Sequence, residues 1–123
     1  MSFKITGSGS CIPSVVQNND TFLNHSFYDE SGSEFDIENQ TIIEKFSSIT
    51  GINQRKYISA NLTTSDIAYQ AAKSAIKDAD IDPETLDYII LAHNFGDITC
   101  NSKQIDTLPS LASRVKAKLK IKN

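Results

Sequence analysis

The feature that most constrains the fold is an alanine-rich amphipathic pattern followed by a short apolar run. The helical pattern is TTSDIAYQAAKSAIKDADIDPE, and the apolar run is LDYIILAH. Thr63 and Asp66 have the spacing of a capping box, which marks the start of a helix, and Pro83 prevents the helix from continuing. The apolar run is typical of a strand buried on both faces of a parallel sheet. A helix and strand in this order predict an α/β fold.

The two faces of this predicted helix differ in side-chain size as well as in polarity. The polar face is made by Gln70, Lys73, Ser74 and Lys77. The apolar face is made by small and branched residues, which are Ile67, Ala68, Ala71, Ala72, Ala75, Ile76 and Ala79. Because most of these side chains are only a methyl group, the pattern predicts that another stretch of backbone approaches the helix closely.

Weaker patterns complete the predicted elements. In chain order they are a strand in FKITGSG, a short helix capped by Asn18 or Asn19, a helix in IENQTIIEKFSSITG, a strand in INQRKYIS and a helix in TLPSLASRVKAKLKIKN. Gly51 is expected just after the second helix as its C′ residue. The acid-rich stretch SFYDESGSEFD predicts an exposed loop. In the closing helix one face carries Leu111, Ala112, Val115 and Leu119, which is typical of a helix that packs against something.

Length and composition narrow the possible classes of protein. The chain has 123 residues, a net charge of −3 and 39% hydrophobic residues, which fits a globular domain with its own core. No apolar run approaches the roughly 20 residues needed to span a bilayer, and the start MSFKITGSGS lacks a signal-peptide core. The two cysteines indicate neither a disulfide framework nor a metal cluster. We therefore expect a cytoplasmic protein with no membrane partner, no metal and no cofactor.

Charge is unevenly distributed along the chain. Residues 20–44 contain seven acidic and no basic residues, whereas residues 103–123 contain six basic residues and one aspartate. A basic tail raises the possibility of a nucleic-acid site. However, the last lysines fall near a helix C-terminus, where cations favour the macrodipole, and no aromatic side chain is interleaved to stack on bases. We therefore predict a solvated helix end and no nucleic-acid partner.

Three stretches could carry chemistry. His93, Asp97 and Cys100 imitate the residues of a thiol enzyme, but no helix N-terminus is evident that would activate the cysteine, so an inert loop cysteine is the favoured interpretation. The stretch GSGS at residues 7–10 lacks the spacing of a phosphate-binding loop, which favours close backbone packing. HNFGD follows a predicted parallel strand at its carboxyl end, where α/β sheets place ligands. A purely structural role for this stretch remains equally open.

Four segments together resemble one family. They are KITGSGSCIPS, ITGINQRKYI, the helix and strand from SDIAYQ to IILAH, and the closing TLPSLASRVKAKLKIKN. Within the second segment, Thr50, Gly51, Ile52 and Arg55 match a TGI-x-x-R pattern. In this order and over essentially all 123 residues, the chain resembles the N-terminal region of ketoacyl-ACP synthase III, a condensing enzyme of the thiolase fold. Asp80 stands where the family usually has glycine, and two loops are longer than is typical.

The resemblance implies a fold and an activity. The fold would be α/β, the N-terminal part of a thiolase-like domain with a mostly parallel sheet and packed helices. Residues 1–123 would form an incomplete domain that ends before the nucleophile strand. The whole enzyme would condense an acyl primer with malonyl-ACP by decarboxylation, in fatty-acid or polyketide-type synthesis. Its partners would be acyl carrier protein, an acyl thioester and a second subunit in a homodimer.

The resemblance also assigns positions to individual residues. The catalytic Cys, His and Asn of the family lie beyond Asn123, so the chain contains no catalytic residue and alone would be inactive. Leu108 occupies the position whose side chain reaches across the dimer towards the partner's acyl pocket. Lys45 and Ile49 occupy the positions of a Trp and an Arg that clamp the CoA adenine. The alternative is a stand-alone, non-catalytic α/β module for binding or assembly, which the same features fit.

Overall fold

A computed structural model describes residues 2–99, 102 and 104–123. The chain divides into two compact units, a larger one made of Met1–Pro13 with Ile58–Asn123 and a smaller one made of Ser14–Tyr57. Among the described residues, no helix is both long enough and apolar enough to cross a bilayer. The prediction of a single incomplete thiolase-like domain over residues 1–123 stays a prediction.

The smaller unit joins a two-stranded antiparallel sheet to one helix. Strand β1 is Val15–Asn18 and strand β2 is Gln54–Tyr57, with Val15 opposite Tyr57 and Asn18 opposite Gln54. Helix α1 is Asn39–Thr50. A 3₁₀ helix follows β1 at Asn19–Phe22, where a short helix was predicted.

Two local predictions for this unit are confirmed. Gly51 ends α1 in the left-handed conformation, with φ of 67°, and its N–H donates to the carbonyl of Ser47. This geometry is strained for a residue with a Cβ and accounts for the glycine. The acid-rich stretch after the 3₁₀ helix is exposed, apart from the half-buried Phe27.

The larger unit is built on two packed helices. Helix α2 is Thr64–Ala79 and helix α3 is Leu111–Leu119. The predicted capping box at the start of α2 is present in both directions between Thr63 and Asp66. Helix α3 buries Leu111 and Val115, as the spacing of its apolar face predicted. At the end of α2, Asp80 adopts the left-handed conformation, with φ of 51°, which aspartate tolerates better than most residues.

Residues 7–10 lie directly against the alanine face of α2. A Cβ placed on Gly7 would lie 2.6 Å from the backbone nitrogen of Ala79, and one on Gly9 would overlap the backbone of Ala71 and Ala75. Both predictions about these segments are therefore confirmed: the alanine face meets a close backbone, and GSGS serves close packing. The backbone N–H of Ser8 donates a further hydrogen bond of 2.9 Å to Asp78 Oδ2.

The predicted parallel sheet is not shown. The chain is α/β, but the one sheet among the described residues is the antiparallel pair β1–β2. Residues 3–8 and 86–93, both predicted strands, have no ladder partner in the described part of the chain. A strand is defined by hydrogen bonds to a neighbour, so an apolar run without one stays irregular. Phe3 and Ile90 are accordingly 96% and 93% exposed.

Candidate functional site

A buried carboxylate organises the site in the larger unit. The Asp97 side chain is only 5% exposed. Its Oδ1 accepts a hydrogen bond of 2.8 Å from the backbone N–H of Ser65, and its Oδ2 accepts one of 2.8 Å from the Ser65 hydroxyl. The backbone N–H groups of Asp97 and Asp106 each donate to the other residue's carbonyl, at 3.0 and 2.9 Å. Asp97 thus links the first turn of α2 to both ends of the loop 97–106.

The charge of Asp97 is balanced by Arg114, which projects from the first half of α3. Nη1 of Arg114 lies 3.1 Å from Asp97 Oδ2, and Nη2 lies 2.8 Å from Asp106 Oδ2. The hydrogen bond with Asp106 is the main reason that the pKa of Arg114 lies above its ordinary value, and the charges of both aspartates add to it. The guanidinium group therefore carries its positive charge throughout the physiological pH range.

The same guanidinium group also holds the chain just before α3. Its Nη2 donates to the Leu108 carbonyl at 2.8 Å, and its Nε donates to the Pro109 carbonyl at 2.9 Å. Ser110 begins the helix, because its hydroxyl accepts a hydrogen bond of 3.2 Å from the Ser113 N–H. The Leu108 side chain is nevertheless 82% exposed. Leu108 thus exposes an apolar side chain to solvent, while Arg114 holds its backbone carbonyl.

A second ion pair fixes α3 against the start of α2. Lys118 Nζ lies 2.6 Å from Asp66 Oδ1, while Asp66 Oδ2 accepts from the N–H and the hydroxyl of Thr63, each at 2.9 Å. The hydrogen bond from Lys118 is the largest reason that the pKa of Asp66 lies below its ordinary value, and the bonds from Thr63 lower it further. One carboxylate thus both caps α2 and pairs with α3.

Lys45 and Ile49 are neighbours on the outer side of α1. They are four residues apart, so their Cβ atoms lie about 5–6 Å from each other along one face. Both side chains are exposed, Ile49 by 80%. Both residues therefore lie on one exposed side of the helix, and the role that the resemblance assigns to them stays a prediction.

Aromatic rings and one arginine support the opposite side of α1. The rings of Phe22 and Phe27 pack edge-on against Phe46, with centroids 6.4 and 5.6 Å away. Arg55 lies over the Phe22 ring and donates from Nη1 to Asn19 Oδ1 at 2.9 Å. The Asn19 amide then donates to the Ile52 carbonyl at 2.8 Å. The arginine of the TGI-x-x-R pattern therefore holds, through Asn19, the turn that follows α1.

The observed site differs from the prediction in two respects. Cys100 of the suspected thiol set lies outside the described residues, while Asp97 is already bonded to Ser65 and Arg114 and His93 is exposed. The network around Asp97 and the bridging role of Asn19 were missed. The signal that the sequence offered for the network was one arginine beside the apolar stripe of the closing helix, with two aspartates, Asp97 and Asp106, shortly before it.

Comparison with known proteins gives consistent matches. The chain is 36% identical over 119 residues to β-ketoacyl-[acyl-carrier-protein] synthase III of Staphylococcus haemolyticus strain JCSC1435, a match that covers 97% of this chain and 31% of that protein. It is 33% identical over 122 residues to β-ketoacyl-[acyl-carrier-protein] synthase III 1 of Vibrio vulnificus strain YJ016, with 99% and 32% covered. The Vibrio vulnificus strain CMCP6 protein matches equally well. No family model matches the chain.

The chain spans about a third of the length of these curated relatives, while they cover nearly all of it. The matches therefore include the capping box of α2, the turn after α1 and the segment that carries Leu108. This continuous similarity confirms the resemblance of its four segments: nearly the whole chain is similar to about a third of a β-ketoacyl-ACP synthase III protein.

Proposed function

We propose that this chain is the N-terminal portion of a 3-oxoacyl-ACP synthase III-like enzyme, which condenses an acyl primer with malonyl-ACP in fatty-acid or polyketide-type synthesis. The observation that carries the proposal is the similarity over 97–99% of the chain to proteins that bear that name. In such a reaction a cysteine thiolate displaces the primer's thiol carrier to form an acyl thioester. Malonyl-ACP then loses CO₂, and its enolate attacks the thioester carbonyl and releases the cysteine thiolate.

No residue of this chain is assigned to those bond changes. The nucleophilic cysteine and its histidine and asparagine partners belong, in this proposal, to sequence beyond residue 123. The chain would instead supply scaffold, part of the entrance for the acyl carrier and part of a homodimer contact in the cytoplasm. The exposed residues Phe3, Ile5, Tyr88 and Ile90 support this role, since apolar, unpaired extended segments are normally covered by further strands or helices.

Leu108 has a separate proposed role at the acyl pocket. Its side chain is exposed on a held backbone, which suits an apolar residue that completes a pocket in a second subunit. An acyl thioester that the carrier protein delivers to one subunit would then lie in a pocket lined in part by Leu108 of the other subunit. The stand-alone module remains the competing hypothesis, and it predicts no acyl pocket at all.

Activity of the complete protein tests the proposed function. A protein expressed from the full coding sequence is expected to become acylated once on a cysteine beyond residue 123, and to release a 3-oxoacyl product with CO₂ when malonyl-ACP is added. Intact-mass analysis and product detection provide the measurement. Residues 1–123 alone, treated identically, are expected to stay unmodified. Absence of acylation and product in the complete protein, or an adduct on Cys100 of the short chain, would contradict the proposal.

The exposed pair on α1 predicts the acyl donor. Lys45 and Ile49 cannot reproduce the stacking of adenine between an aromatic ring and a guanidinium plane, and one such stacking contact is worth about 1–3 kcal/mol. Its loss is expected to weaken CoA binding roughly 10–100-fold, so the complete enzyme should load poorly from acyl-CoA and prefer the matched acyl-ACP. The double variant Lys45→Trp with Ile49→Arg is expected to raise loading from acyl-CoA.

Two comparisons make this result interpretable. Gln40→Trp places the same aromatic ring at an exposed position on another side of α1 and is expected to leave the donor preference unchanged. A wild-type preference for acyl-CoA would refute the prediction. So would equal loading of acyl-CoA by the double variant and the Gln40→Trp control.

A further inference from the structure

We propose that Arg114 is a positioning residue that fixes where Leu108 sits, and that it thereby sets the enzyme's selectivity for acyl-chain length. The inference rests on the proposed function, which places Leu108 at an acyl pocket. Arg114 itself contacts no reacting group in this proposal. It acts through the backbone that carries the Leu108 side chain.

The geometry ties four backbone or side-chain groups to one guanidinium. Two donors of Arg114 reach the successive carbonyls of Leu108 and Pro109, at 2.8 and 2.9 Å. The others reach the carboxylates of Asp97 and Asp106, at 3.1 and 2.8 Å. The two aspartates close the loop 97–106 through their own backbone bridge. The Arg114 side chain thus connects the backbone that carries Leu108 to the two aspartates that bridge the ends of the loop 97–106.

The anchor of this arrangement is buried, whereas its tip is exposed. Asp97 is 5% exposed and is held by two hydrogen bonds from Ser65 at the start of α2. Arg114 is 19% exposed, and its backbone N–H donates to the Ser110 carbonyl at 3.0 Å in the first turn of α3. The backbone of Leu108 is therefore held by contacts that lead to both α2 and α3. A side chain on an unsupported loop would sample a wider range of positions and define a pocket wall poorly.

The chemistry of this position requires arginine. Guanidinium offers five N–H donors in a planar, rigid fork, and here three of its nitrogens serve carbonyls and carboxylates at once. Lysine would keep the positive charge beside Asp97 but has a single nitrogen on a flexible stem. Lysine can therefore satisfy the buried carboxylate without also holding the carbonyls of Leu108 and Pro109. Arg114→Lys is for this reason the variant that separates charge balance from positioning.

Acyl-chain selectivity is the readout that a purely structural role would not change. Selectivity is measured in the complete enzyme as the ratio of kcat/KM for two primers that differ in length by several methylenes. Since one methylene in an apolar pocket is worth roughly 10-fold or more in discrimination, we expect Arg114→Lys to reduce the ratio about tenfold. Leu108→Ala is expected to reduce it by a similar factor. The double variant Arg114→Lys with Leu108→Ala should reduce it no further than Leu108→Ala alone, because both changes act at the same point.

A control on the same helix accounts for general loosening of α3. Lys118→Met removes the other ion pair of that helix, with Asp66, and touches neither Leu108 nor its loop. It is expected to leave the selectivity ratio unchanged. The inference is overturned if Arg114→Lys keeps the wild-type ratio, if its effect multiplies with that of Leu108→Ala, or if Lys118→Met lowers the ratio equally.

A second measurement separates this inference from the proposed function. Hydrogen exchange of the backbone amides in residues 104–110 is followed by mass spectrometry in the same complete proteins. Arg114→Lys is expected to speed exchange there by several-fold, whereas Lys118→Met is not. If the wild-type protein shows no acylation or condensation, the proposed function fails, and the exchange result alone decides whether Arg114 holds the segment. Unchanged exchange in Arg114→Lys overturns the positioning role whatever the activity.

Discussion

Replacing Asp97 by alanine is expected to lower the free energy of unfolding by about 3–5 kcal/mol, the cost of breaking a buried ion pair by removing one partner. The carboxylate satisfies the N–H and hydroxyl of Ser65 and neutralises Arg114, which is itself mostly buried. Alanine would leave the N–H and the hydroxyl of Ser65 without an acceptor in a site shielded from water, and Arg114 would lose one of its two carboxylate partners. Urea unfolding of the complete protein and the Asp97→Ala variant measures the difference.

Asp106 provides the matched control for this prediction. It forms the shorter ion pair with Arg114, 2.8 Å against 3.1 Å, but its side chain is 57% exposed. Because exposed pairs contribute little beyond 1 kcal/mol, Asp106→Ala is expected to have a small effect on the free energy of unfolding. We therefore expect burial of the carboxylate, and not the length of its ion pair, to decide which substitution lowers the free energy of unfolding more. Equal losses for the two variants would show that Asp97 is not the anchor of the site.

Replacing Gly9 by alanine is expected to destabilise the larger unit by at least the roughly 1–3 kcal/mol that is typical of overpacking. The new methyl group would overlap backbone atoms of Ala71 and Ala75 and lie 2.9 Å from the carbonyl carbon of Ser74. Backbone atoms of a helix cannot move aside as the end of a flexible side chain can. Residues 7–10 must therefore separate from α2, which breaks the hydrogen bond between Ser8 and Asp78. The change is measured by urea unfolding.

Substitution at the neighbouring residue, Ser10, controls for the effect of placing an alanine in this segment. Ser10→Ala adds no atom and replaces an exposed side chain, so its free energy of unfolding is expected to stay within about 0.5 kcal/mol of the wild-type value. Exchange of the α2 backbone amides gives an independent measure, since loss of the covering segment should speed exchange in Gly9→Ala alone. A Gly9→Ala variant as stable as Ser10→Ala would contradict the close approach of the two backbones.

Local signals in the chain correctly predicted the three α-helices, the start of α2 and the end of α1. The Thr63–Asp66 capping box and the glycine at the end of α1 depend on neighbours within a few residues. The same holds for the face of α3 that buries Leu111 and Val115, because a 3.6-residue period fixes which side chains lie together. The alanine face of α2 also predicted that a stretch of backbone packs closely against it.

Strand pairing and the polar network depended instead on residues far apart in the chain. The run LDYIILAH has the composition of a buried strand, but a strand also requires a neighbouring ladder, which the described residues do not supply. The network joins Ser65, Asp97 and Arg114, which are 32 and 17 residues apart, so no local spacing could reveal it. The helices, the capping box of α2, the glycine that ends α1 and the family resemblance could thus be predicted from local patterns of residues. That Asp97 and Arg114 meet at a buried carboxylate became clear from the folded chain, because long-range contacts are set by packing and not by helical or strand periodicity.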